Sequence, residues 1–291
     1  MSSVVREGLE KRLQFGSRTL KHEADVFQHN AWDNVEWNVE RSAEAAAKVS
    51  ENSTPLLSRQ EADNYERQSS FYWDEFYRQH SCGFFKDRKW LFTEFPELEC
   101  FIGSANDHHV HPDQCKWLLE VGCGVGNTVI PLMQATAGSE LRFYACDFSS
   151  VAVDLLRRNV AFDANRCNAF VWDICDEQKE LPFAERSLDY VSLIFVLSSL
   201  DPSKFGQAVA NVVRCLKPNG LLLFRDYGRY DMAQLRFKKG RCISDNFYAR
   251  GDGTRVYFFT PEEVDALFVK YGLEKDVQSV DSSYVQVALK K

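Results

Sequence analysis

From Glu120 to Asn127 the chain reads Glu-Val-Gly-Cys-Gly-Val-Gly-Asn, with glycines at 122, 124 and 126 after a short apolar run. Glycine lets the backbone turn tightly and lets a ligand lie directly against it. The spacing Gly-x-Gly-x-Gly is shorter than the dinucleotide pattern Gly-x-Gly-x-x-Gly. A preceding acid, Glu120, would be awkward beside a pyrophosphate. Both features favour a ligand without phosphates, such as S-adenosylmethionine.

Two carboxylates strengthen that expectation. Phe143-Tyr-Ala-Cys-Asp147 ends 21 residues past Gly126, and an acid at such a strand tip can accept both hydroxyls of a ribose. Phe170-Val-Trp-Asp173 ends a third run, where an acid can accept from an adenine amino group. Each Asp taken alone would read as a helix N-cap. Their joint placement with the glycines argues for a cofactor site.

A second chemistry sits upstream. Ten of the 25 residues from 71 to 95 are aromatic, against 13% for the chain. Trp73, Phe76 and Tyr77 share one face at helical spacing, and most of this group reads as core packing. Gly83-Phe-Phe-Lys-Asp-Arg-Lys-Trp90 differs, because Lys86, Arg88 and Lys89 interleave with Phe84, Phe85 and Trp90. That mixture suits stacking on bases and pairing with phosphates.

These residues need elements to position them. Apolar runs at 117–121, 141–146, 168–172, 188–196 and 220–225 read as strands, alternating with amphipathic helices near 126–136, 149–161 and 202–216. Such alternation predicts an α/β, Rossmann-like, doubly wound sheet of seven strands. Its ligands would bind at the carboxyl ends of the strands. Lys217-Pro-Asn-Gly220 reads as a turn, and 244–259 as an inserted hairpin with Gly251-Asp-Gly253 at its tip. Thr260-Pro-Glu-Glu263 caps a helix to about 271, and 283–289 alternates as a final strand. Three regions are expected: an N-terminal helical extension over 1–70 that is partly flexible, an aromatic and basic cap over 71–116, and the catalytic domain over 117–291.

The 291 residues carry 45% hydrophobic side chains, enough for a sizeable core. No apolar run reaches the eighteen residues of a membrane span, and no membrane association is expected. Nine cysteines without a secretory signal read as reduced thiols, which suggests a cytoplasmic or nuclear protein. The net charge of −7 does not announce nucleic-acid binding, so that role must rest on a local patch. Residues 225–255 supply one, with Arg225, Arg229, Arg236, Lys238, Lys239, Arg241, Arg250 and Arg255 against four aspartates, a net of +4. The cluster His108-His-Val-His111 precedes a proline in a loop, and no metal site is expected.

These blocks resemble one family. Gly83–Trp90, Glu120–Asn127, Ala145-Cys-Asp-Phe-Ser149, Leu193–Ser198, Phe224-Arg-Asp-Tyr-Gly228, Asn246–Arg250 and Asp252–Thr260 resemble the eukaryotic tRNA N3-methylcytidine methyltransferases, within the class I adenosylmethionine-dependent enzymes. The resemblance covers roughly residues 70–275. The island His29-Asn-Ala-Trp-Asp-Asn-Val-Glu-Trp37 resembles the branch acting on threonine and some arginine tRNAs. It implies methylation of cytidine 32 in the anticodon loop, with serine tRNAs as further candidates. By the family's pattern Trp73, Tyr77, Gly122, Asp147, Asp173, Ile174 and Ile194 would contact the cofactor, together with Gly124, Gly126 and Phe148. Arg88 and Asp226 would sit by the target base. Ile174 replaces the Leu common at that position.

The chemistry agrees with that implication. Cytosine N3 is a neutral nucleophile and a sulfonium methyl is already activated, so positioning supplies most of the rate. Methylation places positive charge on the base, which a carboxylate such as Asp226 would stabilise. N3 is hidden in a base pair, so the substrate must be a loop or an extruded base, on which Phe85 would stack. Lys86, Lys89 and the 225–255 cations would meet phosphates. A monomer is expected, with tRNA as its partner and an accessory protein or an aminoacyl-tRNA synthetase as a candidate companion. Two other functions fit less well: methylation of a protein or small molecule, and a non-catalytic adenosylmethionine-binding adaptor.

Overall fold

A computed structural model describes residues 39–88, 90–102, 115–280 and 284–291. Three helices open it: α1 (Val39–Asn52), α2 (Arg59–Arg67) and α3 (Ser69–His80). The Ala-Glu-Ala-Ala-Ala-Lys stretch lies inside α1, where its helix propensity belongs. A capping box, Ser58 with Glu61, starts α2, and Gln68 separates it from α3. The short helix α4 (Leu91–Glu94) and a 3-10 turn (Pro96–Phe101) then lead to the sheet.

The sheet alternates with helices as follows: β1 (Lys116–Val121), α5 (Val129–Ala135), β2 (Leu141–Asp147), α6 (Ser150–Arg158), β3 (Cys167–Val171), β4 (Leu188–Ile194), α7 (Phe205–Cys215) and β5 (Leu216–Tyr227). After β5 come α8 (Met232–Leu235), the short strands β6 (Cys242–Ser244), β7 (Phe247–Ala249) and β8 (Arg255–Tyr257), α9 (Pro261–Lys270), β9 (Glu274–Val280) and β10 (Tyr284–Lys290). The described residues form a seven-stranded sheet in the order β3-β2-β1-β4-β5-β10-β9, parallel except at β10. The expected doubly wound α/β sheet is therefore present.

Both faces are covered. Leu118 and Leu119 are fully buried on opposite faces, as period-two alternation demands. Leu119 packs with Val209, Val212 and Phe268 from α7 and α9, and Leu118 with Leu91, Phe95 and Val129. Strands buried on both sides read as continuous apolar runs, which is why β1 and β4 are visible in the sequence.

Four expectations need correction. Lys217-Pro-Asn-Gly220 lies inside β5 and is not a break before it. Leu216 already pairs with Leu188, and Asn219, at φ 64°, absorbs the irregularity as a bulge. The inserted hairpin is a three-stranded antiparallel sheet, β6-β7-β8, because Asp245-Asn246 makes an additional tight turn with Asn246 at φ 61°. The helices after the glycine turn and after β4 are shorter than expected: α5 begins at 129, and 202–204 forms a 3-10 turn ahead of α7. The seventh strand, β9, has no counterpart among the expected strands, because Glu274–Val280 is a polar edge strand with a weak apolar signal.

The N-terminal helices dock on the inserted sheet. Asn52 Nδ2 donates to the Leu235 carbonyl at 3.1 Å, the Ser53 and Tyr248 hydroxyls are 2.9 Å apart, and the Leu57 amide donates to the Cys242 carbonyl at 2.8 Å. Residues 1–38, with the His29–Trp37 island, and the His108–His111 cluster lie outside the described residues.

Candidate active site

The crevice opens at the carboxyl ends of β1, β2, β3, β4 and β5. The glycine turn is held in left-handed conformations, with φ of 63°, 52° and 95° at Gly122, Gly124 and Gly126. A Cβ on Gly124 would stand 2.7 Å from the Tyr77 hydroxyl oxygen. One on Gly122 would stand 2.3 Å from a Val196 methyl. Gly126 serves packing instead. Its Cβ would meet Leu156 and Ile130 at 2.6 and 2.9 Å, so it permits close packing of α5 and α6 on the turn and lines neither cavity described below. The expectation that Gly126 contacts the ligand is corrected accordingly.

Asp147 closes this turn. Its carboxylate accepts from the Gly124 amide and from the Ser149 amide, each at 2.9 Å. Burial pushes its pKa up to about 6 against those stabilising bonds. Ser149 Oγ caps α6 by accepting from the Ala152 amide. It also donates to Asp74 at 2.6 Å, tying α3 to the strand tip.

Two cavities adjoin here. The first is bounded by Trp73, Tyr77, Gly122, Asp147, Phe148, Asp173 and Ile174, seven of the ten residues expected to hold a cofactor. The second encloses about 510 Å³ and is bounded by Phe84, Phe85, Lys86, Arg88, Gly124, Ile194, Tyr227 and Arg250. Trp73, Tyr77, Gly122, Phe195 and Ser199 wall both, so the two cavities are immediate neighbours.

Arg88 is anchored on the shared side. Its guanidinium donates to Thr128 Oγ1 at 2.9 Å, lies 3.9 Å from a Glu120 carboxylate oxygen and stands over the Phe195 ring at 5.4 Å. Glu120 is buried under the turn, and burial raises its pKa to about 7 despite Arg88. Phe195 itself has φ 58°, a costly conformation for an aromatic residue, and its ring packs on Tyr227 at 5.0 Å.

Asp226 is at the expected strand tip but lines neither cavity. It is fully buried, and its two oxygens accept from the Ser198 and Tyr227 amides, each at 2.9 Å. Burial pushes its pKa up to about 6. Asp226 thus does not reach the cavity expected to hold a base, whereas Ser198 and Tyr227, whose amides it fixes, do line it.

The basic patch divides. Arg225 and Arg255 are buried and cannot meet phosphates: Arg225 pairs with Glu94 at 3.3 Å and stands over the Trp90 ring, and Arg255 pairs with Glu66. Arg236, Lys238 and Lys239 are exposed, Arg241 and Arg250 are half-buried, and Lys239 reaches Glu51 at 3.4 Å. Lys89 lies outside the described residues. Sequence reasoning missed Glu66, Lys204, Phe195 and Tyr227, whose roles come from contacts across long stretches of chain.

A family model described as a methyltransferase domain matches residues 119–222. The chain is 49% identical to tRNA N(3)-cytidine methyltransferase METTL2 of Danio rerio, over 94% of this chain and 83% of that one. It is 47% identical to the Bos taurus protein of the same name, over 93% and 88%. It is 43% identical to tRNA N(3)-methylcytidine methyltransferase trm140 of Schizosaccharomyces pombe, over 92% and 85%. Among solved structures, the PH0226 protein of Pyrococcus horikoshii shares the fold, with a TM-score of 0.53 at 17% identity over 74% of this chain and 98% of that one.

Proposed function

This chain belongs to the tRNA N(3)-cytidine methyltransferases, enzymes that use S-adenosylmethionine, and from that premise we propose where on tRNA it acts and which residues do the work. The proposed target is cytidine 32 of the anticodon loop, in threonine tRNAs first, with arginine and serine tRNAs as further candidates.

The residues around the first cavity suit the cofactor. Gly122 brings bare backbone to its wall, its strand tips offer the acceptors Asp147 and Asp173, and Trp73 and Phe148 give apolar walls. Asp147 would take the ribose hydroxyls and Asp173 the adenine amino group, with Ile174 beside the ring. When bound, S-adenosylmethionine supplies a methyl group already activated on a sulfonium.

The second cavity would take the base. The observation that carries this reading is the wall of Tyr77, Gly122 and Phe195 shared by the two cavities. Phe85 would stack on an unpaired cytosine and hold N3 toward the first cavity. Glu120 helps hold Arg88 from beneath the glycine turn, so the guanidinium is positioned to orient the base. Asp226 contributes negative potential from behind Ser198 and Tyr227, and it fixes both of those walls. Lys86 and Arg250, with Arg236, Lys238, Lys239 and Arg241 further out, would follow the phosphates of the loop and stem.

Residues 1–70, with the island at 29–37, would help select the tRNA. The exposed basic patch is small beside a chain of net charge −7, which supports a companion protein supplying further tRNA contacts. We place the enzyme in the cytoplasm as a monomer. A transcript with uridine in place of cytidine 32 tests the target: methyl transfer should vanish, and transfer equal to that on the unaltered tRNA would overturn it.

A further inference from the structure

Three separate parts of the chain meet at one carboxylate beside the first cavity. Glu66 sits at the end of α2. One of its oxygens pairs with Lys204, from the 3-10 turn Pro202–Lys204 after β4. The other pairs with Arg255, the first residue of β8 in the inserted sheet. All three side chains line the cavity that contains Asp147 and Asp173. The turn before β8 packs against the next helix, α3, because a Cβ on Gly253 would overlap the Tyr72 ring.

We propose that Glu66 is a positioning residue that clasps the N-terminal helices and the inserted sheet over the cofactor, so that bound cofactor leaves slowly. The inference rests on the first cavity being the S-adenosylmethionine site. Its physical basis is the unequal exposure of the three partners. The Arg255 side chain is 5% exposed and the Glu66 side chain 27%, so their charges are poorly screened and each needs the other. The Lys204 side chain, 46% exposed, adds a weaker arm that reaches the body of the sheet. With both arms made, the end of α2 is held against the cavity wall. Opening that wall requires Glu66 to leave two cations at once, one of them buried. The clasp also joins the cofactor cavity to the segment that carries Arg250 and the exposed cations, so closure of one orders the other.

Trp73 and Trp172 line the same cavity, so intrinsic fluorescence reports occupancy. The test follows release of S-adenosylhomocysteine from the full chain by stopped flow. Glu66→Gln should speed release about tenfold, equivalent to ~1.4 kcal/mol. Lys204→Met, which leaves the buried pair intact, should speed it about threefold. The double variant should release no faster than Glu66→Gln alone, because both changes break one device. Glu51→Gln, which cuts the Lys239 contact of the same N-terminal segment away from the cavity, should leave the rate unchanged. Release at the wild-type rate in both Glu66→Gln and Lys204→Met would overturn the clasp, even if melting temperatures fell. If Glu66→Gln does not fold, Lys204→Met decides alone. A wild-type chain that fails to bind S-adenosylhomocysteine would instead refute the cofactor site.

Discussion

The Gly124 amide donates to a carboxylate oxygen of Asp147 at 2.9 Å, so the turn after β1 and the tip of β2 form one unit. A second Asp147 oxygen takes the Ser149 amide at the start of α6. A carboxylate in this position serves twice. It sets the shape of the glycine turn, and its remaining lone pairs are the ones proposed to accept the ribose hydroxyls.

Gly124 is accordingly intolerant of a side chain. Gly124→Ala adds about 1–2 kcal/mol of left-handed backbone strain and a Cβ 2.7 Å from the Tyr77 hydroxyl oxygen. Titration calorimetry should show S-adenosylmethionine affinity reduced at least about tenfold. Unchanged affinity would mean that the turn does not shape the site.

On the proposed reading, Asp226 serves the chemical step and not cofactor capture. Asp226→Asn keeps the shape and removes the charge. Cofactor affinity should stay within about threefold, ~0.7 kcal/mol, while single-turnover methylation falls about a hundredfold, ~2.7 kcal/mol. A wild-type single-turnover rate would reject an electrostatic role.

The buried carboxylates give stability a definite pH dependence. Burial raises Glu120 from 4.5 to about 7, and Asp147 and Asp226 from 3.8 to about 6. Between those limits the native state keeps protons that the unfolded chain has lost. The stability these groups contribute is full at acid pH and is lost as pH rises through the native values. Glu120→Gln removes its share, so the melting temperature of the variant should gain on wild type from pH 4.5 to about 7. Parallel profiles would show that Glu120 keeps an ordinary pKa.

The exposed cations should carry the salt dependence of tRNA binding. Replacing Arg236, Lys238 and Lys239 by alanine should reduce the slope of log affinity against log salt by roughly two. Arg225 and Arg255 play no part in this, since both are buried in ion pairs. An unchanged slope would put the tRNA on another face.

The cofactor half of the site is legible in the sequence because its signals are local. The glycine turn and the acids at 147 and 173 each follow an apolar run, and buried parallel strands announce themselves. The substrate half is only partly legible. Arg88 and Arg225 both sit near aromatics in the sequence, yet Arg88 faces the cavity and Arg225 meets Glu94 inside the protein. That difference depends on which face of β5 the helix α4 covers, and no short-range pattern records it. Glu66 and Arg255 lie 189 residues apart, so their pairing exists only in the fold. Asp226 reads correctly as a strand tip, but its burial behind Ser198 depends on the turn after β4 folding over it.

The most direct measurement is nucleoside mass spectrometry of unmodified threonine tRNA incubated with this protein and S-adenosylmethionine. N3-methylcytidine should approach one per tRNA, mapped by fragment analysis to position 32. Its absence under conditions where the protein binds both cofactor and tRNA, or a methyl group on another nucleoside, would contradict it.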